Sequence, residues 1–275
     1  MYTSWIPRVA KFASYPVFRK LVLGVLSFTA YGAAQYAFVK YHPDLSFEFP
    51  PGVHTMMGLT LSILLVFRTN ATYDRWWEAR RLWGSLTNSS RALGQVVGKL
   101  SVPEDEKREF ARAQRQLPFD LREHLRAAQP PDIHHPLRLT DKMADLAEKW
   151  LQAGHINALQ WPALEMRISA LLDVIGGCER IRHTPLPLSH RAAIPQVLLA
   201  YLLILPWGLP HNPTSILIVA AATYFVLSLE LIAEELEEPF GTEPDDLPLS
   251  RYSSTIARSL EQLYGGLLVK EDSPT

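Results

Sequence analysis

The side chains best suited to ligating a metal are a histidine pair and a lone cysteine. His134 and His135 are adjacent in the segment DIHHP. Adjacent side chains point apart on a helix or a strand, so the two rings cannot readily converge on one ion. Cys178 is the single cysteine, which excludes a disulfide framework and a multi-cysteine metal site within one chain. We expect a solvated histidine loop and a buried thiol.

Motifs for catalysis are absent from the sequence. It contains no glycine-rich phosphate loop, no dinucleotide-binding fingerprint, no HExxH and no CxxC. No serine stands in a nucleophile-elbow context. No basic patch interleaved with aromatic residues indicates nucleic acid, and a net charge of −1 gives no broad attraction to it. We expect neither an enzyme nor a nucleic-acid-binding protein.

Four stretches lack Asp, Glu, Lys and Arg and approach membrane-spanning length, which is roughly 17–25 residues for a helix. They are residues 21–39, 51–67, 192–209 and 213–229. KYHPDLSFEFP joins the first two stretches, and the very short PHNP joins the last two. This pattern predicts two helical hairpins separated by a polar and amphipathic region.

Lysine and arginine lie at one end of each predicted hairpin. They precede the first stretch, follow the second and precede the third: Arg8, Lys11, Arg19, Lys20, Arg68, Arg75, Arg180, Arg182 and Arg191. The loop after the first stretch holds only Lys40, and PHNP holds neither residue type. Because basic residues favour the cytoplasmic side, both termini and the central region are predicted to be cytoplasmic. The expected location is the cell inner membrane.

Three amphipathic stretches between the hairpins predict helices. The first begins at Glu104 and is rich in helix-forming residues. The second has Thr140 or Asp141 as its N-cap and stops at Gly154. The third ends near the glycine pair at 176–177. No stretch shows the two-residue alternation of a strand, so the chain is predicted to be all-α.

The predicted fold is an all-α membrane protein with four transmembrane helices in two hairpins and a helical cytoplasmic domain. Its parts are a cytoplasmic N-terminal segment (1–20), a first transmembrane hairpin (21–67), a cytoplasmic helical domain (68–191), a second transmembrane hairpin (192–236) and a cytoplasmic acidic segment with the C-terminal tail (237–275).

The second apolar stretch continues without Gly or Pro into the charged segment FRTNATYDRWWEARRLWG (67–84). On one uninterrupted helix, Leu59, Ile63 and Phe67 lie on one face. Such a stripe lines a pore or packs against other helices, and spacing alone favours packing. Glu78 and Arg81 are spaced to pair on the water-exposed continuation.

Three motifs resemble the bestrophin family, particularly its bacterial branch. They are FRTNATYDRWWEARRLWG (67–84), GGCERIRHTPLP (176–187) and AEELEEPFGTEPDDLPL (233–249). They stand in the order that the family has, and they cover most of the chain from the second apolar stretch onward. The N-terminal twenty residues and the region from Pro103 to about residue 139 carry little resemblance.

The resemblance implies a homo-pentameric ion channel in a lipid bilayer, with the second membrane helix of each subunit lining a narrow hydrophobic neck. By position, Leu59, Ile63 and Phe67 would form that neck. A second, cytoplasmic aperture would be formed by Leu159. Family necks often carry Ile and Phe, so Leu59 is a mild departure.

The resemblance also bears on calcium, which animal bestrophins bind through the acidic segment after the last membrane helix. The matching positions here are Glu235, Glu238, Glu243 and Asp246. Clustered carboxylates suit a hard cation, but Pro244 interrupts the acidic run. We expect no required cofactor and a segment that caps the helix and contacts a neighbouring subunit, with a calcium site as the alternative.

The resemblance to the bacterial branch implies that monovalent ions permeate, with cations slightly favoured, and a chloride channel of the same architecture is the alternative.

Two other classes of protein stay open: a non-conducting helical scaffold, and a soluble protein with four buried helices. A cleaved signal peptide competes at the N-terminus, but its polar lead-in is long. A membrane-embedded enzyme has only His54, Gln35, Gln196 and scattered hydroxyls to work with.

Overall fold

The computed structural model of the chain describes residues 15–45, 49–127 and 133–268, and this part is helical without any strand. Most of the predicted N-terminal segment and the end of the C-terminal tail lie outside these residues. The α-helices of the described part are α1 (Pro16–Tyr41), α2 (Pro51–Gly98), α3 (Glu104–Arg126), α4 (His135–Gln152), α5 (Gln160–His183), α6 (Leu188–Ile204), α7 (Pro213–Glu237) and α8 (Leu249–Tyr264). The all-α prediction is confirmed.

Four helical segments are long and apolar enough to cross a membrane: Pro16–Tyr41, Gly52–Gly98, Arg191–Gly208 and Pro213–Glu237. No more than 28% of the most apolar window of any of them is buried within the chain. Their apolar side chains therefore face outward, as they do where lipid or a neighbouring subunit supplies the apolar surroundings.

The described residues form two compact units. The first contains residues up to Asp74 and residues 186–237, and the second contains residues 75–185 and those from Glu238 onward. Helix α2 contributes residues to both, and its second half is rich in charge.

The first unit is built around a small apolar core. Leu61 and Leu65 of α2 pack with residues of α6 and α7, including Leu198, Leu202 and Val219. Helix α1 packs mainly along α7. A polar contact adds to this packing, because the indole nitrogen of a tryptophan in the turn after α6 donates to a tyrosine hydroxyl of α1 (Trp207 Nε1 to Tyr31 Oη, 2.8 Å).

A buried charge cluster completes the first unit. The Arg68 side chain on α2 is only 4% exposed, and its Nε lies 3.0 Å from Glu230 Oε2 on α7. The same guanidinium approaches Glu237 at 3.8 Å, and Glu237 is also 3.0 Å from Arg191 on α6. The Arg68 Nε and Glu230 Oε2 atoms are not aligned for a hydrogen bond, so their attraction is that of a close ion pair. Three helices are thereby joined through a cluster of charges, of which Arg68, Glu230 and Glu237 are buried and Arg191 is exposed.

The second unit has a larger core from the second half of α2 together with α3, α4, α5 and α8. Trp83, Phe110 and Trp150 are among its largest fully buried side chains. One buried amide within it is fully engaged: Gln114 donates to the Ser90 carbonyl at 2.7 Å and accepts from the Tyr264 hydroxyl at 2.6 Å.

Helix α4 begins earlier than the sequence predicts. Thr140 and Asp141 are inside the helix, which starts at His135. The N-cap is His134, whose Nδ1 accepts a hydrogen bond from the Leu137 backbone N–H at 3.1 Å. Histidine is an uncommon N-cap residue, so the usual N-cap residue types predict that the helix starts later, at Thr140 or Asp141. The predicted stop is confirmed, because the helix ends at Gln152 and is followed by Gly154 with φ 75°.

Helix α5 runs past the glycine pair at which the sequence predicts its end. It continues to His183, because a glycine costs a helix only about 1 kcal/mol and Gly177 is buried against Leu82. This extension presents Arg180 to Glu78, with the two charged groups 2.6 Å apart. The predicted pairing of Glu78 with Arg81 is replaced by this contact between helices.

The buried charge cluster predicts a large stability effect for Arg68→Met. The substitution removes the positive charge that compensates the buried carboxylates of Glu230 and Glu237. Breaking a buried ion pair in this way typically lowers the free energy of unfolding by about 3–5 kcal/mol. We expect a clear fall in the thermal unfolding midpoint of the purified protein in detergent, followed by tryptophan fluorescence.

Lys20→Met is the matched control, because its partner Glu234 lies 3.6 Å away and both side chains are more than half exposed. Exposed pairs contribute little. The double variant Arg68→Met/Glu230→Gln should recover part of the decrease in the thermal unfolding midpoint, because it also removes one of the uncompensated carboxylates. Equal midpoints for Arg68→Met and wild type would contradict the assigned role.

Candidate functional site

The predicted neck residues form an exposed stripe on α2. Leu59 is 63% exposed, Ile63 48% and Phe67 63%, whereas Leu61 and Leu65 between them are 2% and 3% exposed. One face of the helix is thus buried in the first unit, and the opposite face presents large apolar side chains outward. This geometry suits a surface that lines an axis or meets another molecule, and the neck itself stays a prediction.

The exposed stripe changes character along the helix. At 100° per residue, Asn70 and Asp74 fall on the same face as Leu59, Ile63 and Phe67, and both are exposed. The apolar part therefore passes into a polar part that ends in a carboxylate. Asn70 and Asp74 thus extend the face of α2 beyond the three predicted neck residues.

The predicted cytoplasmic aperture residue, Leu159, is 87% exposed. It is the N-cap of α5 rather than a residue within the helix. The turn is held by Asn157, whose Oδ1 accepts from the backbone N–H groups of Leu159 and Gln160 at 3.0 and 2.9 Å. An apolar side chain is thus presented outward from an anchored turn, and its role in an aperture stays a prediction.

The four predicted acidic positions do not all share one environment. Glu235 lies on α7 in the first unit, and the other three belong to the second unit. Glu238 pairs with Arg182 at 3.5 Å. Glu243 is exposed, and its backbone N–H donates to Asp246 Oδ2 at 2.6 Å.

Glu243 and Asp246, the last two of these acidic residues, are hydrogen-bonded to each other in one turn. Burial raises the pKa of Asp246 from 3.8 to about 6, although the hydrogen bond from the Glu243 backbone opposes that rise. Gly241 leaves the space that this carboxylate occupies, because a Cβ there would overlap Asp246 Oδ2. The turn is also attached to α2, since Trp76 Nε1 donates to the Asp245 carbonyl at 3.1 Å.

This acidic segment is a poor fit to a calcium site. Calcium takes six to eight oxygen ligands, whereas Glu238 is engaged by an arginine and Asp246 by a backbone N–H. Among the described residues, three potential metal ligands come within 4.8 Å of one another at His124, His134 and Glu179, not in the acidic segment.

The first and second motifs are joined by contacts that the sequence analysis missed. Arg75 donates to the backbone carbonyls of Thr184, at 2.7 Å, and Ile181. These carbonyls belong to the last turn of α5 and its C-cap, where helix carbonyls lack intrahelical partners and carry negative partial charge. Their long sequence separation left no local signal.

The histidine pair differs from the solvated loop that the sequence predicts. His135 is exposed, but His134 is half-buried, and its Nε2 contacts the Glu179 carboxylate. The prediction is therefore wrong for His134, because a carboxylate distant in sequence approaches it. Cys178 is fully buried, as predicted, and burial raises its pKa to about 12, which keeps the thiol protonated.

The raised pKa of Asp246 predicts a pH-dependent effect of Asp246→Asn. The folded protein holds this proton more tightly than the unfolded chain, so the contribution of Asp246 to stability falls as pH rises from about 4 to about 6. We expect the asparagine variant to match wild type near pH 4 and to have the higher thermal midpoint at pH 7.

Asp245→Asn is the control for that experiment, because it makes the same change on an exposed side chain next to Asp246. It should give no such pH-dependent gap. A gap between Asp246→Asn and wild type that stays constant between pH 4 and pH 7 would contradict the assignment.

The family model for bacterial and fungal bestrophin proteins matches residues 3–262. A voltage-dependent anion channel-forming protein of Ralstonia nicotianae is 33% identical over 236 residues, which cover 77% of this chain and 76% of that protein. A voltage-dependent anion channel-forming protein of Escherichia coli K12 is 32% identical over 244 residues, covering 81% and 80%.

Solved structures show the same fold. A crystal structure of a mutated bacterial bestrophin homologue from Klebsiella pneumoniae has a TM-score of 0.83 at 24% identity, covering 90% of this chain and 99% of that chain. A second structure of a mutant from that organism has a TM-score of 0.80 at 25% identity, with the same coverage. The chain therefore belongs to the bacterial/fungal bestrophin family, which is a family of ion channels and not of enzymes.

Proposed function

We propose that five copies of this chain form a channel for small monovalent ions, with the exposed face of α2 from each copy lining the central pore. The observation that carries this proposal is the one-sided burial of α2. Leu61 and Leu65 are buried in the first unit, while Leu59, Ile63 and Phe67 are exposed at helical spacing. A closed ring of identical subunits would bring five such stripes to one axis.

The proposed topology places four spans in the inner membrane as two hairpins. It is supported by the four apolar helices and by the lysine and arginine residues at their ends. Both termini and the region between the hairpins would be cytoplasmic. Leu159 would then form a second, cytoplasmic ring, supported by its outward exposure of 87%.

The proposed neck would control conduction through wetting. Apolar rings cannot replace the hydration shell of an ion, but a narrow ring excludes water and a slightly wider or more polar one admits it. Leu59, Ile63 and Phe67 in series would give three such rings. The proposal gives calcium no role, because the acidic segment brings too few free carboxylates together.

We propose anions as the preferred permeating ions, in place of the cations that the sequence analysis slightly favoured. The support is that the relatives from Ralstonia and Escherichia are named anion channel-forming proteins. Cations are the second candidate, because Asp74 is exposed on the same face of α2 as the neck residues. A ring of carboxylates near a pore favours cations.

The reversal potential tests the sign of the permeating ion. We expect purified protein in a planar bilayer under a KCl gradient to reverse near the chloride equilibrium potential. A reversal near the potassium value would overturn the anion proposal while supporting a channel, and Asp74→Asn should then move it toward zero. No current from wild type or from Phe67→Ala would instead indicate a non-conducting scaffold.

The neck residues are tested by alanine substitution. Leu59→Ala, Ile63→Ala and Phe67→Ala should each raise single-channel conductance or open probability, because each widens an apolar ring and eases its wetting. Leu217→Ala is the matched control, since Leu217 is a similarly exposed (71%) apolar residue on α7. Currents unchanged in all three neck variants would show that this face of α2 does not line the pore.

A further inference from the structure

Two imidazoles and one carboxylate converge in the second unit. His124 lies near the end of α3, His134 caps the start of α4, and Glu179 lies in the last turns of α5. His124 Nε2 is 2.8 Å from Glu179 Oε1, and His134 Nε2 contacts that same oxygen. The centroids of the two imidazole rings are 4.4 Å apart.

The orientation of each ring directs its Nε2 into the cluster. His134 Nδ1 accepts a hydrogen bond from the Leu137 backbone N–H, which holds the ring and places its proton on Nε2 in the ion-free protein. An ion bound at Nε2 would require that proton to move to Nδ1, at the expense of this cap hydrogen bond. His124 is held by burial, since its side chain is only 9% exposed and its Nδ1 has no hydrogen-bond partner among the described residues.

The donor set matches one class of ion. Two neutral imidazoles and a carboxylate carry a net charge of −1, and nitrogen donors of this kind select zinc and its neighbours over calcium or magnesium. Zinc sites of two histidines and one carboxylate leave the fourth position to water. The partly exposed side chains of His134 and Glu179, at 34% and 25%, leave access for that water.

The spacing is also suitable for a small ion. The three donor atoms lie within 4.8 Å of one another. Around a tetrahedral zinc with bonds of 2.0–2.1 Å, donor atoms are about 3.3 Å apart. Side-chain rotations that move the donor atoms by up to about one ångström would therefore bring them to the distances that the ion needs.

We propose that His124, His134 and Glu179 bind one zinc-class divalent ion per chain. The ion would join the end of α3, the first turn of α4 and the end of α5. Because binding to the folded state alone raises stability, zinc would stabilise this part of the second unit. The site is separate from the proposed neck and from the acidic segment, so it stands whether or not the chain conducts ions.

Zinc titration of the full-length protein tests the site. Protein purified in detergent without a polyhistidine tag would be treated with chelator, exchanged into clean buffer and titrated with Zn²⁺ by calorimetry. We expect one ion per chain, with affinity lowered at least about tenfold in Glu179→Gln and in His134→Asn. Asparagine can still cap α4, so His134→Asn keeps the helix start.

His135→Ala is the matched control, because it removes the adjacent exposed imidazole and leaves the three proposed ligands in place. It should bind zinc like wild type. In parallel, zinc should raise the thermal midpoint of wild type and His135→Ala but not of the two ligand variants, whose helix content and elution volume are checked by circular dichroism and size-exclusion chromatography.

Two results would overturn the proposal. One is the absence of stoichiometric zinc binding by wild type. The other is binding that Glu179→Gln and His134→Asn leave unchanged, which would assign the zinc to surface histidines. In either case the three side chains form a hydrogen-bonded cluster in which Glu179 accepts from both rings. If Glu179→Gln does not fold, the comparison of His134→Asn with His135→Ala decides.

Discussion

The burial of the Arg68 guanidinium constrains the first unit more than any other interaction. An arginine cannot lose its charge by shifting its pKa, and a lone buried charge is strongly unfavourable, so Arg68 must face carboxylates. Glu230 and Glu237 supply them from α7, and Arg191 balances the second of these. This requirement fixes the rotation of α2 about its own axis. The residues on the face of Arg68 are buried, and the stripe of Leu59, Ile63 and Phe67 is left exposed on the other side.

In the second unit, the same helix contributes polar side chains that hold the ends of other segments. Arg75 donates to carbonyls at the C-terminus of α5, where it satisfies acceptors that the helix cannot. Trp76 donates to the backbone of the acidic turn, and Glu78 pairs with Arg180. The unusual composition of the segment 67–84, with charges and paired tryptophans after an apolar run, thus has a structural explanation. Its residues contact both other motifs of the chain.

The sequence predicts what depends on local composition and misses what depends on distant partners. The four apolar helices and the helical central region follow from runs and periodicity. The stop near Gly154 follows from the glycine, and the burial of Cys178 from the usual behaviour of a lone cysteine. The predicted start of α4 is wrong because the cap is a histidine, and the predicted end of α5 is wrong because Gly177 packs on Leu82 and the helix continues. The Glu179 contacts with two histidines could not be predicted, since 45 residues separate His134 from Glu179. One signal was available, however: Arg68 and Glu230 each directly follow an apolar run, which is where opposite charges can pair.

The stripe on α2 also constrains what can cover it. Exposed apolar side chains on α1 and α7, such as Leu26 and Leu217, would be satisfied by lipid alone. The α2 stripe continues on the same face through Asn70 to Asp74, both exposed, within the same unit. Asn70 and Asp74 lie beyond the predicted membrane stretch (51–67), so the change from large apolar side chains to an amide and a carboxylate marks where this face meets water. In the proposed pore, this face would form a water-filled pathway with a narrow apolar segment, in which the carboxylate would remain hydrated while the apolar rings next to it would control the passage of ions.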